Sequence, residues 1–196
     1  GNQEPCAAGL IEQQMIQNDP NYAQIRSAIE AQTQLYIQQQ SSSRAAGVVY
    51  TIPIVFHVMH SGEAIGDSTN ISDAQIASAI TNMNERYNGS LGTTADTKIQ
   101  FCLASRDTNG VATTGIVRTD ASGLTDVDNY GTMGITDNNE LSVKALSKWD
   151  HNLYCNVWVV SEINNNGGGA GTQGYAYFPG ASSSRDGVVM LYNAMG

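Results

Sequence analysis

Hydrophobic residues fall along this chain in two kinds of pattern, short continuous runs and stripes with helical spacing. The longest run covers residues 48–59 and is rich in β-branched and aromatic side chains, which predicts a strand buried on both faces. Pro53 lies inside this run and cannot donate to a ladder, so its nitrogen must face a bulge or a side without a partner. Further strands are predicted at 98–105, 116–118, 154–160, 174–178 and 186–192.

Stripes at helical spacing predict two helices within residues 10–39, a long helix after residue 72 and a short helix at 138–148. Asp19 is the predicted N-cap of the second helix, with Pro20 in its first turn. The stripe of that helix consists of Tyr22, Ile25, Ile29 and Tyr36. A capping box at 72–75 begins the long helix, and Gly89 suits the left-handed residue after its end. The short helix is expected to turn Leu141, Ala145 and Leu146 inward.

Strands that alternate with helices predict an α/β fold, a twisted mixed sheet of about five strands with at least three parallel members. The polar segment 38–47 is typical of a linker between the first two helices and this sheet. Two helices with one apolar stripe each cannot form a stable domain alone, so we expect them to lie on the larger body. No run of eighteen apolar residues is present, so the sequence predicts no membrane span.

The chain is acidic and poor in charge, with a formal net charge of −9 and 14% charged residues. Its nine Lys and Arg residues are scattered, which argues against a nucleic-acid surface. Amides and hydroxyls are plentiful, and a surface of that kind favours a secreted or extracellular protein, with the periplasm or the cell surface as alternatives.

Few residues are candidates for metal or thiol chemistry. His57 and His60 are three apart in a predicted strand and would point to opposite faces, so we do not expect them to share a metal. His151 follows a turn and is expected at the surface. Cys102 and Cys155 lie in strand-like runs, where two buried free thiols are expected unless the strands are neighbours and a disulfide forms.

An oxygen-rich segment precedes and begins the predicted short helix. Its members are Asp126, Asp128, Asp137, Asn138, Asn139 and Glu140. Calcium prefers such ligands, although EF-hand spacing is absent and ordinary turn chemistry is the other interpretation.

Several blocks, taken in order, resemble the bacterial branch of the pappalysin family, which are metzincin-type zinc metallopeptidases. The blocks are residues 51–60, 99–104, 113–118, 156–160, 174–179 and 186–192. The resemblance runs from about Cys6 to Gly196 and implies a metzincin-like upper subdomain with a backing helix at 73–88. It also implies that residues 1–47 are a helical prosegment and linker, and that residues 48–196 are the upper subdomain of a metallopeptidase catalytic domain.

The resemblance implies a secreted zinc endopeptidase that hydrolyses peptide bonds with zinc-activated water. Its zinc motif, HExxHxxGxxH, would follow Gly196, so this chain is expected to contain no catalytic residue and to be inactive by itself. The implied partners are a peptide or protein substrate and the chain's own prosegment.

Three candidate functional sites come from the same resemblance. Residues Gly174, Tyr175, Ala176, Tyr177 and Phe178 would form the edge strand that pairs with substrate, although a plain edge strand is the alternative. Cys6 would be a latency ligand to the zinc, with an incidental thiol or a lipid-anchored cysteine as alternatives. Arg44 would be a processing site, or simply a solubilising residue of the linker.

A second hypothesis comes from a different class of protein. The chain could be a non-catalytic secreted binding module that uses the same edge strand, 174–178, to bind extended peptides.

Overall fold

A six-stranded sheet forms the body of the protein in the computed structural model, which describes residues 6–40, 47–122, 124, 130 and 134–196. Its strands are β1 (Tyr50–His60), β2 (Ile99–Leu103), β3 (Ile116–Asp120), β4 (Cys155–Val160), β5 (Gly174–Ala176) and β6 (Val188–Leu191). They lie in the order β2-β1-β4-β6-β5, and β3 pairs with the second half of β1. Every pairing is parallel except that of β5 with β6. The predicted mixed α/β fold is therefore confirmed, with six strands where about five were expected.

Four α-helices accompany the sheet within the described ranges. They are α1 (Ala8–Asn18), α2 (Pro20–Gln40), α3 (Asp73–Tyr87) and α4 (Glu140–Ala145), and a 3-10 turn (Tyr192–Ala194) follows β6. None of the described helices combines the length and the apolar character that crossing a membrane requires.

Alternation along the strands divides the core into two layers, one on each face of the sheet. On one face, Phe56 of β1 and Val157 of β4 pack with Ile76 of α3. On the other face, Trp158 of β4 and Val189 of β6 pack with Val143 of α4. The second layer is the one that β5 joins, because Tyr175 is buried in it.

Pro53 lies on the side of β1 where no ladder has yet formed. The bonds from Ala104 N to Ile54 O (2.8 Å) and from Phe56 N to Gly115 O (2.9 Å) direct the even residues of β1 toward β2 and β3. Residue 53 therefore faces β4, whose pairing with β1 begins one residue later, at Ile54 and Cys155. Of the two predicted explanations for this proline, the side without a partner is the one observed.

The first three residues of the long apolar run depart from the prediction of a fully buried strand. Val48, Val49 and Tyr50 are exposed, and the strand begins only at Tyr50. The burial of β1 starts where β4 joins it, since a strand is covered on both faces only inside the sheet.

The ends of α3 agree with the sequence in most respects. Ser72 accepts a hydrogen bond from the backbone N–H of Gln75 at 3.1 Å, and Gly89 has a φ of +74°. The reciprocal half of the capping box is missing, however, because the Gln75 side chain donates to the carbonyls of Tyr192 and Met195. Gln75 thus ties the start of α3 to the segment after β6.

The first two helices lie against the sheet body through one part of their surface. Asp19 caps α2 as predicted, because its carboxylate accepts from the N–H groups of Asn21 (2.9 Å) and Tyr22 (3.1 Å). Tyr22 is buried, but Tyr36 at the far end of the predicted stripe is 62% exposed. The stripe therefore makes contact over the first half of α2 only.

The short helix α4 is rotated from its predicted orientation. Leu141, Ala145 and Leu146 are exposed, whereas Glu140, Val143 and Lys144 are buried. The prediction assumed that apolar residues face the core. A buried ion pair between Glu140 and Lys144, 2.8 Å apart, takes that place instead.

Candidate functional site

The strand β5 is one edge of the sheet, and its outer side presents backbone groups to the surroundings. The N–H of Leu191 donates to the carbonyl of Gln173 at 2.9 Å, which makes Gln173 and Leu191 a hydrogen-bonded pair. In an antiparallel ladder such pairs alternate, so Tyr175 faces β6 while Gly174 and Ala176 direct their N–H and C=O groups outward. These outward groups are what an added strand would pair with.

The inner face of β5, the face that carries Tyr175, packs on the carboxylate of Glu140, which is 1% exposed. Tyr175 donates its hydroxyl to Oε1 at 3.2 Å, and Tyr177 donates to Oε2 at 2.6 Å. Lys144 lies 2.8 Å from Oε1, and Arg185 donates to Oε2 at 3.0 Å. We call these five residues the Glu140 cluster.

The cations of the Glu140 cluster are held by aromatic rings and by backbone as well. Lys144 Nζ lies 5.1 Å from the ring centroid of Trp158 and 5.0 Å from that of Tyr177, and it donates to the carbonyl of Arg185 at 2.6 Å. Burial lowers the pKa of Lys144, and the charge of Glu140 opposes that change. Burial, reinforced by the same carboxylate, raises the pKa of Tyr175 and of Tyr177, so both hydroxyls remain donors.

The helices α1 and α2 lie beside this edge. The Cys6 thiol is 3.8 Å from the carbonyl oxygen of Gly174, and Ile11 of α1 packs against the core layer that contains Tyr175. Arg26 lies over the ring of Phe178, 5.2 Å from its centroid. An ion pair between Arg26 and Glu12, at 2.7 Å, joins the two helices at this point.

The contact of α2 with the segment after β5 is close. A side chain on Gly180 would bring its Cβ within 2.8 Å of Ile25, so Ile25 lies almost directly on the glycine backbone. A cavity of about 360 Å³ remains between the helices and the body, lined by Asp137, Tyr177 and Arg185 on the body side.

The described histidines are not arranged around a metal. His57 is fully buried in β1, and His60 accepts a hydrogen bond from the N–H of Gly62 at 3.1 Å. His151 is exposed as predicted and lies 3.5 Å from Asp186. No group of three His, Cys, Asp or Glu side chains among the described residues could hold a metal ion. The residues described here therefore do not fit a zinc site.

Calcium is not supported by the oxygen-rich segment either. The two oxygens of Glu140 already accept hydrogen bonds from tyrosine hydroxyls, and the Lys144 ammonium already neutralises the carboxylate. This arrangement does not fit a calcium ligand. Asn139 accepts from the N–H of Thr136 at 2.7 Å and donates to the carbonyl of Gly134 at 2.9 Å, which is turn chemistry. Asp126 and Asp128 lie outside the described residues, as does the predicted processing residue Arg44.

Cys102 and Cys155 are separate free thiols, as expected. Cys102 aligns with Pro53 and Cys155 with Ile54, on two strands that flank β1. Since consecutive residues of β1 point to opposite faces, the two thiols lie on opposite faces of the sheet and cannot pair. Both thiols are half-buried, whereas the sequence predicts buried ones.

The strand predicted at 174–178 lies at the sheet edge over Gly174–Ala176 only, and the sequence pattern does not predict the residues that support it. The pattern gives Lys144 and Arg185 no role at the edge strand, and it marks Glu140 only as a calcium ligand. One usable signal was the spacing of Tyr175 and Tyr177, which places two hydroxyls on one face of a strand. The other is the Glu140–Lys144 pair, four residues apart in the short helix.

Of three comparisons with known proteins, only the one with solved structures found similar proteins. No protein-family model matches the chain, and no curated protein does. Among solved structures, a point mutant of Tannerella forsythia promirolysin is similar to 97% of this chain, with 28% identity and a TM-score of 0.68. Mature mirolysin of Tannerella forsythia in complex with a cleaved peptide is similar to 76% of the chain, with 29% identity and a TM-score of 0.60.

A further mirolysin structure, in complex with compound 9, gives 28% identity and a TM-score of 0.59 over 76% of the chain. The chain spans 60% of the promirolysin chain and 55% of each mirolysin chain. The chain is therefore similar both to the zymogen and to the mature form of a metallopeptidase. The predicted resemblance to the mirolysin-like, bacterial branch of the pappalysin-type metallopeptidases is therefore confirmed.

Proposed function

We propose that the chain is the proenzyme portion of a secreted zinc metalloendopeptidase, in which the outer edge of β5 binds substrate as an added strand. The observation that carries this proposal is the outward direction of the Gly174 and Ala176 peptide groups at the end of the sheet. Residues 174–178 are the proposed substrate-binding segment, with Tyr175 and Tyr177 anchoring it from within.

An extended peptide could pair with this edge without demands on most of its side chains. The outward groups of Gly174 and Ala176 alternate with the inward ones of Tyr175, as in any antiparallel ladder. The similar mirolysin structure contains a cleaved peptide, which supports peptide binding in this branch. We extend peptide binding to β5 of this chain because the peptide groups of Gly174 and Ala176 point away from β6.

We assign residues 1–47 as prosegment and linker and residues 48–196 as the upper subdomain. The likeness to promirolysin covers 97% of the chain, whereas the likeness to mature mirolysin covers 76%. The difference of about 21% is close to the share of 47 residues in 196, about 24%. The position of α1 beside the edge strand supports the same division, because a prosegment that prevents substrate binding would lie there.

Two residues of the prosegment have proposed roles in latency and processing. Cys6 is exposed and lies next to Gly174, so its thiol is available to a metal brought close to the edge strand. Arg44 is the basic residue of the polar linker, and we propose cleavage after it.

The zinc of the intact enzyme would be held by residues other than those described here, since these do not provide a ligand cluster. When bound, that zinc would supply the Lewis-acid chemistry of peptide hydrolysis. The part of the machinery that this chain contributes is the sheet edge and its cover. We accordingly expect the 196-residue chain to hydrolyse no peptide by itself.

The test is to express the protein encoded by the complete reading frame and to measure cleavage of a quenched fluorescent peptide library. We expect cleavage after the linker is cut, loss of activity with 1,10-phenanthroline and recovery with added zinc. Cleavage that resists the chelator would contradict the proposal. If no cleavage occurs but the chain still captures extended peptides, the non-catalytic binding module is the correct function.

A further inference from the structure

We propose that Glu140 is a positioning residue for substrate binding, because its buried carboxylate fixes the edge strand in the geometry that peptide pairing requires. This inference rests on the proposed function of β5 and deepens it. Glu140 does not face the substrate side. It acts through the hydroxyls of Tyr175 and Tyr177, which reach it from the strand.

The edge strand needs support that its own ladder does not give. The strand β5 is three residues long, and its pairing with β6 ends at Ala176 and Val188. The proposed binding segment continues to Phe178, beyond the last pair. A strand with so few backbone bonds opens readily unless side chains hold it.

The Glu140 cluster supplies this support where the ladder ends. Tyr175 and Tyr177 are two residues apart and therefore share the inner face of the strand. Each binds a different oxygen of the same carboxylate, Tyr175 at 3.2 Å and Tyr177 at 2.6 Å. The second bond holds Tyr177, which has no partner in the described ladder. The Tyr177 side chain therefore fixes the course of the chain beyond Ala176, where backbone pairing has ended.

The charges of the cluster make the anchor rigid. Glu140 and Lys144 are buried to 1% and 0% exposure, and Arg185 adds a second cation 3.0 Å from the carboxylate. Arg185 also donates to the Tyr177 hydroxyl at 3.0 Å. Hydrogen bonds to an ionised carboxylate are stronger than neutral ones, and here water is excluded from most of them.

The cluster also joins the edge strand to the segments on either side of it. Lys144 belongs to α4, and its bond to the Arg185 carbonyl fixes the turn that leads from β5 to β6. One carboxylate thus fixes the strand, the following turn and the helix beneath them relative to one another. A substitution of Glu140 would therefore alter the orientation of the outward N–H and C=O groups of Gly174 and Ala176.

The test uses Tyr177→Phe and Tyr175→Phe, which remove one hydroxyl each and leave the buried charges paired. Tyr154→Phe is the matched control, because the Tyr154 hydroxyl bonds backbone carbonyls of Arg106 and Asp107 instead. Backbone hydrogen exchange of the full chain is followed by mass spectrometry. We expect exchange in residues 174–178 to become about tenfold faster in each variant, with β4 unchanged.

The result that would overturn the anchor is unchanged exchange in residues 174–178, or an equal rise throughout the sheet, which indicates a general loss of stability. Glu140→Gln, if it folds, should give the largest local effect because it weakens both hydroxyl bonds at once. The Tyr154→Phe control should leave residues 174–178 unchanged.

The link to substrate is measured with the protein of the complete reading frame and a blocked extended peptide. Loss of strand pairing should raise KM about tenfold with kcat unchanged, since pairing binds ground state and transition state alike. A general loss of folded protein would lower kcat instead and would contradict the positioning role. Wild-type protein that binds no peptide would overturn the proposed function, while the exchange data would still decide whether the anchor exists.

Discussion

His57 in β1 and Asn156 in β4 are joined by a hydrogen bond of 2.8 Å between the imidazole Nε2 and the amide oxygen. Trp149 fixes the orientation of that amide, because its N–H donates to the oxygen at 2.9 Å and its carbonyl accepts from the amide nitrogen at 3.1 Å. The amide oxygen only accepts, so Nε2 carries the proton of the neutral ring. His57 is also stacked on Trp158 at 4.9 Å, and burial lowers its pKa to about 4.

Acid should therefore weaken the fold through His57. The unfolded chain takes up a proton at this ring near pH 6.5, whereas the folded chain does so only near pH 4. Stability contributed by the neutral ring is complete above pH 6.5 and falls as the pH drops from 6.5 toward 4. The loss by pH 4.5 amounts to about 2–3 kcal/mol.

Urea unfolding at pH 7.5 and pH 4.5 measures this loss. We expect His57→Gln to reduce the difference between the two pH values by about 2–3 kcal/mol relative to wild type. His60→Gln is the control, because His60 lies at the end of the same strand and is half-exposed. An equal pH dependence in wild type and His57→Gln would show that His57 is not the group responsible.

The three thiols should differ sharply in reactivity. Cys6 is exposed, whereas Cys155 is half-buried and its burial raises the pKa of the thiol above the usual range. With an aromatic disulfide reagent under native conditions, Cys6 should react first and Cys155 slowest. Cys6→Ser should remove the fast phase.

The same samples test the separation of Cys102 and Cys155 across the sheet. Mild oxidation of the folded chain should leave both as free thiols, since they lie on opposite faces with β1 between them. A mass spectrum with an internal Cys102–Cys155 disulfide would contradict the strand order described above.

The sequence predicted the elements that depend on local physics. The Asp19 cap, the Ser72 cap and the glycine after α3 follow from backbone geometry and hydrogen bonding within a few residues. For Pro53 the sequence leaves two explanations open, and only the pairing of β1 with β4 distinguishes them. Parallel pairing also followed, because strands that alternate with helices leave few other connections. The edge position of the strand predicted at 174–178, observed over Gly174–Ala176, follows from the family resemblance rather than from the residues themselves.

The interior of the site could not be predicted in the same way. Amphipathic patterns assume that charge faces water, and α4 violates this at Glu140 and Lys144. The partners that make their burial tolerable, Tyr177 and Arg185, are about forty residues away in sequence. A buried polar cluster becomes visible only when strands from distant parts of the chain are brought together.

The burial of Lys144 gives a stability prediction with a control in the same segment. Lys144→Met removes one partner of a buried ion pair, which should lower the free energy of unfolding by about 3 kcal/mol. This loss of stability is at the lower end of the range for broken buried ion pairs, because Glu140 still accepts hydrogen bonds from Arg185 and from two tyrosine hydroxyls. Lys148→Met, four residues later and partly exposed, should change stability by less than about 0.5 kcal/mol.

Urea unfolding at neutral pH distinguishes the two variants. If Lys144→Met is as stable as wild type, the methionine has repacked among Trp158, Tyr175 and Tyr177 and the ion pair is not a net source of stability. Such a result would mean that the charge of Lys144 does not stabilise the edge strand.

The cover formed by α1 and α2 should protect the outward groups of the edge strand. Gly174 directs its peptide groups away from β6 yet is buried. The Cys6 thiol lies 3.8 Å from its carbonyl oxygen, and Ile11 packs against the core layer of Tyr175. Ile25 secures α2 by its close contact with Gly180. Ile25→Asp places a charge in this contact and should loosen the helices without touching the sheet.

Hydrogen exchange of the full chain, read separately at residues 174–178 and at β4, measures the effect. Ile25→Asp should speed exchange at 174–178 several-fold and leave β4 unchanged, because opening the cover exposes only the outer edge. Leu35→Asp is the control, since Leu35 is on the same helix and is 58% exposed. Removal of residues 1–44 should give the upper limit of the change. Equal exchange at 174–178 with and without these residues would mean that the helices lie near the edge without covering it, and latency would then need another physical basis.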